Sequence, residues 1–188
     1  EVWRANLWVR GASRVLAHIA TYKVTHLAQL EAAAFETQWH KFLPRHASYK
    51  VEVSCSKSKI YHSGAAKQRI ERGISHALNT PATDIEPEIT IMARIDHDIC
   101  TISVDTSGEL LHKRGSKAAV SKAPMRENMA ALFLQMCGYQ GKEPVFDPMC
   151  GSGTFVIEAA EIAARLNPGR LRDFAFEKLM TFDQNAWE

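Results

Sequence analysis

Apolar and polar residues alternate with a period of two in three stretches of the chain. These stretches are 49–55, 89–95 and 100–104, and the period is typical of strands that are buried on one face. The last two are separated by a short polar turn over 96–98, which predicts a β-hairpin. Residues 13–24 predict a further strand.

Two other stretches repeat apolar residues every three or four positions, which is the spacing of one helix face. The first runs from Leu27 to Phe42, with Thr25 as the predicted N-cap and Pro44 marking its end. The second runs over 63–78, directs Lys67, Arg69 and Arg72 outward, and has a predicted buried stripe. That stripe consists of Ala66, Ile70, Ile74 and Ala77 or Leu78.

The order of these elements indicates the fold class. Residues 45–107 combine a strand, a helix and a hairpin, which predicts an α+β unit. A basic connector over 108–124 follows, and a third helix is predicted from about Pro124 to Gly138.

Composition narrows the class of protein. The chain has 188 residues, of which 46% are hydrophobic and 23% charged, so it is typical of folded proteins and not of disordered ones. It contains no membrane-length apolar run, and no basic-then-apolar stretch near residue 1 predicts secretion. The four cysteines, Cys55, Cys100, Cys137 and Cys150, are far apart and predict neither a disulfide framework nor a metal site. We therefore expect a cytoplasmic protein without a metal or a membrane partner.

The net charge of +2 conceals two basic segments. Residues 41–75 contain eight Lys and Arg against two Glu, and residues 110–126 contain five Lys and Arg with no acid. Clustered positive charge is what a nucleic-acid-binding surface needs, because phosphate neutralisation supplies most of the affinity. A solvated basic surface without a partner is the alternative.

Residues 143–166 contain the chemistry-bearing motif. We predict a short strand that ends at Phe146, a tight turn with Gly151 and Gly153, and a helix from about Thr154 to Asn167. Such a turn allows backbone N–H groups to approach a nucleotide-like ligand closely.

Three interpretations of this turn can be separated. No Lys follows Gly153, which argues against a P-loop, and Val156 occupies the third small position of a dinucleotide fingerprint. Asp147, just after the predicted strand, suits a ligand with an ammonium group beside a nucleoside, such as S-adenosylmethionine. A glycine turn without any ligand remains an alternative.

The sequence Asp-Pro-Met-Cys-Gly-Ser-Gly-Thr over 147–154, followed by Ile157-Glu158, resembles the first motif of class I S-adenosylmethionine-dependent methyltransferases. Within that class it is similar to the THUMP-domain RNA guanine-N2 methyltransferases of ribosomal RNA or tRNA. Residues 105–115 resemble the end of the THUMP module, and 123–130 resemble the helix that leads into the catalytic domain. Ser116 departs from the aromatic residue often present in that family.

The resemblance implies RNA as a partner, ribosomal RNA before tRNA, and S-adenosylmethionine as the cofactor. The implied phosphate contacts are Lys57, Lys59, Lys67, Arg69 and Arg72, with Lys113 and Arg114 second. The implied cofactor-binding residues are Asp147, Pro148, Cys150, Gly151, Ser152, Gly153 and Thr154. Cys150 is not expected to be a nucleophile, and Glu127 and Asn128 are expected on a helix surface. Tyr61 and His62 could stack on a base, and packing in the core or in a turn is the alternative for both.

The resemblance also implies a fold and its division. We predict an α+β chain with a partial ferredoxin-like segment over 1–44 and a THUMP-like RNA-binding module over 45–110. A connector helix and the first strand, loop and helix of a Rossmann-like α/β methyltransferase domain follow over 111–188. The family's catalytic Asn/Asp-Pro-Pro-Tyr/Phe loop is absent because no two prolines are adjacent. We therefore expect a piece of a longer ribosomal RNA guanine-N2 methyltransferase that is itself inactive; the alternatives are a THUMP RNA-binding module without catalysis and a DNA adenine-N6 methylase.

Overall fold

The structure is a computed structural model that describes residues 1–114 and 125–187. In chain order the elements are α1 (Val2–Trp8), β1 (Leu16–Lys23), α2 (Leu27–Glu36), β2 (Tyr49–Ser56), α3 (Ser63–Leu78), β3 (Ile89–Asp96), β4 (Ile99–Asp105), α4 (Glu127–Met136), α5 (Thr154–Ala163) and α6 (Gln184–Trp187). Short 3-10 turns lie at Trp39–Lys41 and Ala175–Lys178.

The chain divides into two compact units. The sheet unit comprises Leu16–Gly108 together with the segment from Ala175 onward, and the helical unit comprises Glu1–Val15 and Glu109–Phe174. Residues 115–124 of the predicted connector over 108–124, including Pro124, lie outside the described residues. The third helix begins at Glu127, later than predicted, because Arg126 is extended.

The sheet unit is built on four strands in the order β1-β4-β3-β2. β2 pairs parallel with β3, and the β3–β4 and β4–β1 pairs are antiparallel. The predicted hairpin is confirmed: His97 and Asp98 connect β3 and β4 with φ of 50° and 62°. Two successive positive φ values match the twist of the flanking strands, and Asp is among the residues that tolerate them.

Helices α2 and α3 pack on one another, and α3 packs on β2. The alternating strand residues and the two helix stripes provide the core, as the periodicity predicted. Its buried members include Leu30, Ala34, Ala66, Ile70, Ile74, Tyr49, Val51, Ile89, Ile91, Ile95, Cys100, Ile102 and Val104. Gly73 is buried together with the predicted stripe of α3. Of the two alternatives for the end of that stripe, Ala77 is exposed and Leu78 is half-buried.

The first predicted helix is shorter than its apolar spacing suggested. α2 ends at Glu36 because Thr37 is extended, with φ −63° and ψ 134°. The indole of Trp39 in the following 3-10 turn is buried and donates from Nε1 to the carbonyl oxygen of Ala34 at 2.6 Å. The N-cap is His26 and not Thr25, and the Gln29 side chain accepts the His26 N–H at 3.2 Å.

In the helical unit, both α4 and α5 end in a left-handed residue. Gly138 follows α4 with φ 74°, as predicted, and Tyr139 N–H donates to the Leu134 carbonyl at 3.0 Å. α5 ends at Ala163 and not near Asn167, because Arg165 is left-handed and Leu166 N–H donates to the Glu161 carbonyl at 3.0 Å. These contacts satisfy carbonyl groups that a helix end leaves without partners.

Two predictions for the helical unit are wrong. The strand that should end at Phe146 is not formed: the segment has no strand partner among the described residues, and Phe146 is 88% exposed. A strand is held by pairing with a neighbour, so an apolar run without one does not form it. Asn128 is buried and not on the surface, because its side-chain amide donates to the Ser13 hydroxyl at 3.0 Å.

Candidate functional site

The candidate cofactor loop is the turn over 147–153 that leads into α5. One carboxylate oxygen of Asp147 accepts the N–H of Met149 at 3.0 Å, and Gly153 N–H donates to the Cys150 carbonyl at 2.7 Å. Gly151 and Gly153 have φ of 53° and 75°, the left-handed region that glycine adopts without a steric cost. The two glycines are therefore required by the backbone of this turn.

Space lies beside the turn at its first glycine. A Cβ built on Gly151 would meet no described atom within 4 Å. Cys150 and Pro148 are exposed, and Asp147 and Ser152 are partly exposed. A ligand can therefore lie directly against the Gly151 backbone, with these side chains around it.

Thr154 differs from the other candidate cofactor residues. It is buried at the first position of α5, and its hydroxyl donates to the Met125 carbonyl at 3.3 Å. This hydroxyl therefore anchors the start of α5 to the segment that leads into α4.

Behind the loop, a buried ion-pair cluster holds α5 in place. Glu158 and Glu161 lie three residues apart on one face of α5, and both are buried. Arg10 Nη1 contacts Glu158 Oε1 at 2.6 Å, and Arg170 Nη2 contacts Glu161 Oε1 at 2.7 Å. Burial raises the pKa of Glu161, but the hydrogen bond from Arg170 and the nearby guanidinium charges outweigh it and hold that pKa below its usual range.

Arg114 belongs to this cluster and not to an exposed basic surface. It is 3% exposed, pairs with Glu158, and donates from Nη2 to the Arg10 carbonyl at 2.9 Å. Burial lowers the pKa of Arg114, and the charge of Glu158 opposes that effect. The interpretation of Arg114 as a phosphate contact is therefore wrong, since its guanidinium is occupied inside the unit.

The role of the α5 carboxylates was not predicted from the sequence. Two Glu residues within the apolar run Ile-Glu-Ala-Ala-Glu-Ile are a signal that could have indicated buried ion pairs, because charged residues are almost never fully buried unless they are paired. Lys113, the neighbour of Arg114, is exposed and pairs with Glu109 at 2.7 Å.

The five implied phosphate contacts in the first basic segment fall into two groups. Those on α3 are paired with acids: Lys67 Nζ lies 3.2 Å from Asp84, and Arg69 Nη1 lies 2.9 Å from Glu31. Arg72 lies 3.9 Å from the same glutamate. The hydrogen bond from Arg69 lowers the pKa of Glu31, and the one to Asp84 raises the pKa of Lys67. Much of the positive charge on α3 is thus neutralised within the unit.

Lys57 and Lys59 form the second group. They lie in the loop between β2 and α3, both are exposed, and neither forms an ion pair with an acid in 1–114 or 125–187. Their loop is held by the β-hairpin, because the Lys59 N–H donates to Asp98 Oδ1 at 2.7 Å and the Asp98 N–H donates to the Ser58 hydroxyl at 3.0 Å. These two lysines are thus free cations on a fixed backbone.

The described parts of the chain contain neither a candidate membrane span nor a candidate metal site. No helix there is long and apolar enough to cross a membrane. No group of three or more His, Cys, Asp or Glu residues is arranged to hold a metal ion.

Two families of known proteins match different parts of the chain, one with the first basic segment and the other with the candidate cofactor loop. A model of the THUMP domain matches residues 24–105, and a model described as RMKL-like, methyltransferase domain, matches residues 114–187. The ribosomal RNA large subunit methyltransferase K/L of Syntrophotalea carbinolica is 37% identical over 182 residues, which cover 92% of this chain and 26% of that protein.

Solved structures resemble nearly the whole chain. A predicted N6-adenine-specific DNA methylase from Listeria monocytogenes str. 4b F2365 matches with a TM-score of 0.87 at 30% identity, over 99% of this chain and 50% of that one. SMU.472, solved in complex with SAH, matches with a TM-score of 0.87 at 30% identity, over 99% of this chain and 51% of that one.

The chain spans 26% to 50% of the length of the curated relatives that it matches. Both domain matches occur in one chain and in the order that the sequence predicted. The chain is therefore similar to a THUMP domain followed by the first part of an RMKL-like methyltransferase domain.

Proposed function

We propose that the chain is part of an enzyme that transfers a methyl group from S-adenosylmethionine to N2 of guanine in ribosomal RNA. The observation that carries this proposal is the open turn at Gly151, which lies within the methyltransferase match and directly precedes α5. The relatives named as ribosomal RNA methyltransferases and the SAH complex of SMU.472 support the cofactor and the substrate class.

In this proposal the residues over 147–154 position the cofactor. The Gly151 backbone leaves room for close approach, the Asp147 carboxylate can accept a hydrogen bond from an ammonium group, and the Ser152 hydroxyl is within the same turn. S-adenosylmethionine supplies a methyl group on a sulfonium, which is already a good leaving group. The contribution of the protein is then mainly alignment of the reacting groups.

The proposal also assigns RNA binding to the THUMP match and the start of the catalytic domain to residues from about 111. Lys57 and Lys59 are the leading phosphate contacts because they are exposed and unpaired in the described chain. Lys67, Arg69 and Arg72 contribute less, because Asp84 and Glu31 already neutralise much of their charge.

The reaction is tested with the longer protein that contains this chain. It is incubated with methyl-labelled S-adenosylmethionine and a mixture of unmodified ribosomal RNA, tRNA and DNA, and the labelled nucleoside is identified. We expect N2-methylguanosine in ribosomal RNA. N6-methyladenine in DNA, the activity named for the Listeria relative, would overturn the substrate and keep the cofactor. RNA binding without any label would indicate an RNA-binding module and would overturn the proposed methyl transfer.

The cofactor loop is tested by Gly151→Val in that protein. Valine strains a left-handed backbone and fills the space beside the turn, so we expect SAH affinity to fall at least about tenfold in calorimetric titration. Gly138→Val is a matched control, because Gly138 also has a positive φ and no described atom near its Cβ position. The control is expected to bind SAH normally, and equal losses in both variants would contradict the assignment.

Two double variants that remove the same formal charge test whether the two groups of cations contribute differently to RNA binding. Lys57→Gln with Lys59→Gln is expected to weaken RNA binding and to reduce the slope of log affinity against log salt by about 0.7 for each phosphate that is no longer neutralised. Lys67→Gln with Arg69→Gln removes the same formal charge, yet we expect a smaller decrease in affinity. The measurement is fluorescence anisotropy with labelled RNA over a range of salt concentrations. The reverse order of effects would overturn the assignment.

A further inference from the structure

A depression of about 360 Å³ lies in the sheet unit, between the start of α2 and the loop that precedes α3. Its walls come from Thr25, His26, Leu27, Lys59, Tyr61 and His62. Ile60, which is buried, forms part of the lining. Cavities for small ligands span roughly 300–1,000 Å³, so this space suits a single nucleotide and not a duplex.

Tyr61 stands out on the rim of this depression. Its side chain is 84% exposed, so both the ring face and the hydroxyl are available to a ligand. Exposed aromatic residues that occur singly need no explanation. Here the ring is combined with a cavity and with two unpaired lysines, Lys57 and Lys59, in the same loop.

The backbone on both sides of Tyr61 is fixed before any ligand arrives. The Lys59 N–H is bound by Asp98, and the His62 side chain accepts the N–H of Ala65 through Nδ1 at 3.1 Å. A ring presented from an ordered backbone loses little conformational entropy on binding, which favours affinity.

The charges around the depression favour an anion. Lys59 lies in the lining, Lys57 is two residues away, and no Asp or Glu contributes to the lining. The Asp98 carboxylate nearby is engaged by the Lys59 backbone. The chemistry assembled here is a cation for a phosphate and an aromatic face for a base, which is how single-stranded nucleic acids are held.

We propose that this depression is a subsite for one unpaired RNA nucleotide, with its base stacked on Tyr61 and its phosphate bound by Lys59. The inference rests on the proposed RNA binding and deepens it, because it distinguishes an unpaired segment from a duplex. A paired base does not offer its face to a side chain, so a duplex cannot use the site.

The test compares two labelled ligands on the 188-residue chain by fluorescence anisotropy: a short single-stranded oligouridine and the same ribose-phosphate chain without bases. Tyr61→Ala is expected to weaken oligouridine binding by about 5- to 150-fold, the range for removal of one stacked base. It should leave binding of the base-free chain unchanged. Tyr61→Phe should retain the affinity of the parent, and Lys59→Gln should weaken binding of both ligands.

Phe35→Ala is the matched control. Phe35 is an exposed aromatic residue on α2, eight residues beyond the depression, which is about 12 Å along the helix. Its replacement should not alter either affinity, and thermal melting of each variant confirms that it is folded.

The outcomes separate this inference from the proposal on which it rests. If Tyr61→Ala binds oligouridine as the parent does, the subsite is overturned and RNA binding stands. If Tyr61→Ala weakens binding of both ligands equally, the stacking of a base on Tyr61 is overturned. If the parent chain binds neither ligand nor structured RNA, the proposed RNA binding is overturned and the subsite with it.

Discussion

Replacing Glu158 by alanine is expected to lower the free energy of unfolding of the helical unit by about 3–5 kcal/mol, the usual effect of breaking a buried ion pair. Glu158 is 2% exposed, and its carboxylate forms ion pairs with Arg10 and Arg114. Removing its carboxylate leaves the guanidinium of Arg114 buried beside Arg10 with less compensating charge. The remaining carboxylate of Glu161 is already engaged by Arg170. Urea unfolding followed by circular dichroism measures the decrease in stability.

The double variant Arg114→Met with Glu158→Met is the control for this mechanism. Methionine replaces both charged partners with apolar side chains, so no new uncompensated charge is buried at that pair. We expect the double variant to be more stable than Glu158→Ala. A decrease below about 1 kcal/mol for Glu158→Ala would show that the pair behaves as a solvated one and would contradict the burial argument.

The same substitution has a functional consequence. α5 begins directly after the candidate cofactor loop and carries Glu158 one turn into the helix. Without Glu158, Arg10 keeps only its longer contact to Glu161 at 3.5 Å, so α5 is held less firmly and we expect Glu158→Ala to weaken SAH binding in the longer protein as well. Calorimetric titration at a temperature where the variant is still folded separates this effect from global unfolding.

Gly73→Ala is expected to destabilise the sheet unit by about 1–3 kcal/mol, although alanine is the better helix former. A Cβ on Gly73 would lie 2.4 Å from the Glu31 carbonyl oxygen, 2.8 Å from the Ala34 Cβ and 3.0 Å from the Phe35 nitrogen. Two of these are backbone atoms that a rotamer change cannot move. Helices α2 and α3 would have to separate, and the buried residues between them would pack less closely.

Gly64→Ala provides the comparison on the same helix. A Cβ there would approach the His62 side chain, with its nearest atom at 3.2 Å, and no backbone atom. We expect this variant to be close to neutral, because the roughly 1 kcal/mol by which alanine favours a helix is offset when the His62 ring shifts from its hydrogen bond to the Ala65 N–H. Thermal melting of both variants checks the contrast, and similar melting temperatures would contradict the close packing of α2 on α3.

Local patterns predicted the elements of the sheet unit well. Alternation over 49–55 and 89–95 depends only on which face of a strand is buried, and the polar turn over 96–98 matches the left-handed conformations of a tight hairpin. Helix ends were predicted less well. Arg165 ends α5 in a left-handed conformation that an arginine in the sequence does not predict. Thr37 ends α2, although the apolar spacing continues beyond it.

The number of charged residues identified the two basic segments. It could not predict which of their Lys and Arg side chains are free and which are paired or buried. Sequence places Lys57, Lys67 and Arg114 in the same class of exposed cations. In the folded chain Lys67 is paired with Asp84, Arg114 is buried on Glu158, and Lys57 is unpaired among the described residues. Each pairing joins residues that are 17 or more positions apart, so no local pattern reports it.

The sequence by itself predicted the resemblance to THUMP-domain methyltransferases, the α+β class and the position of the candidate cofactor loop. These depend on short-range signals: periodicity, turn residues and one motif of eight residues over 147–154. Only the tertiary structure decided which cations are free, which carboxylates hold α5, and that Tyr61 stands beside a cavity with Lys59. The physical reason is that burial and ion pairing depend on which distant segments meet. Those contacts are set by packing of the whole core, and a motif of eight residues carries no information about it.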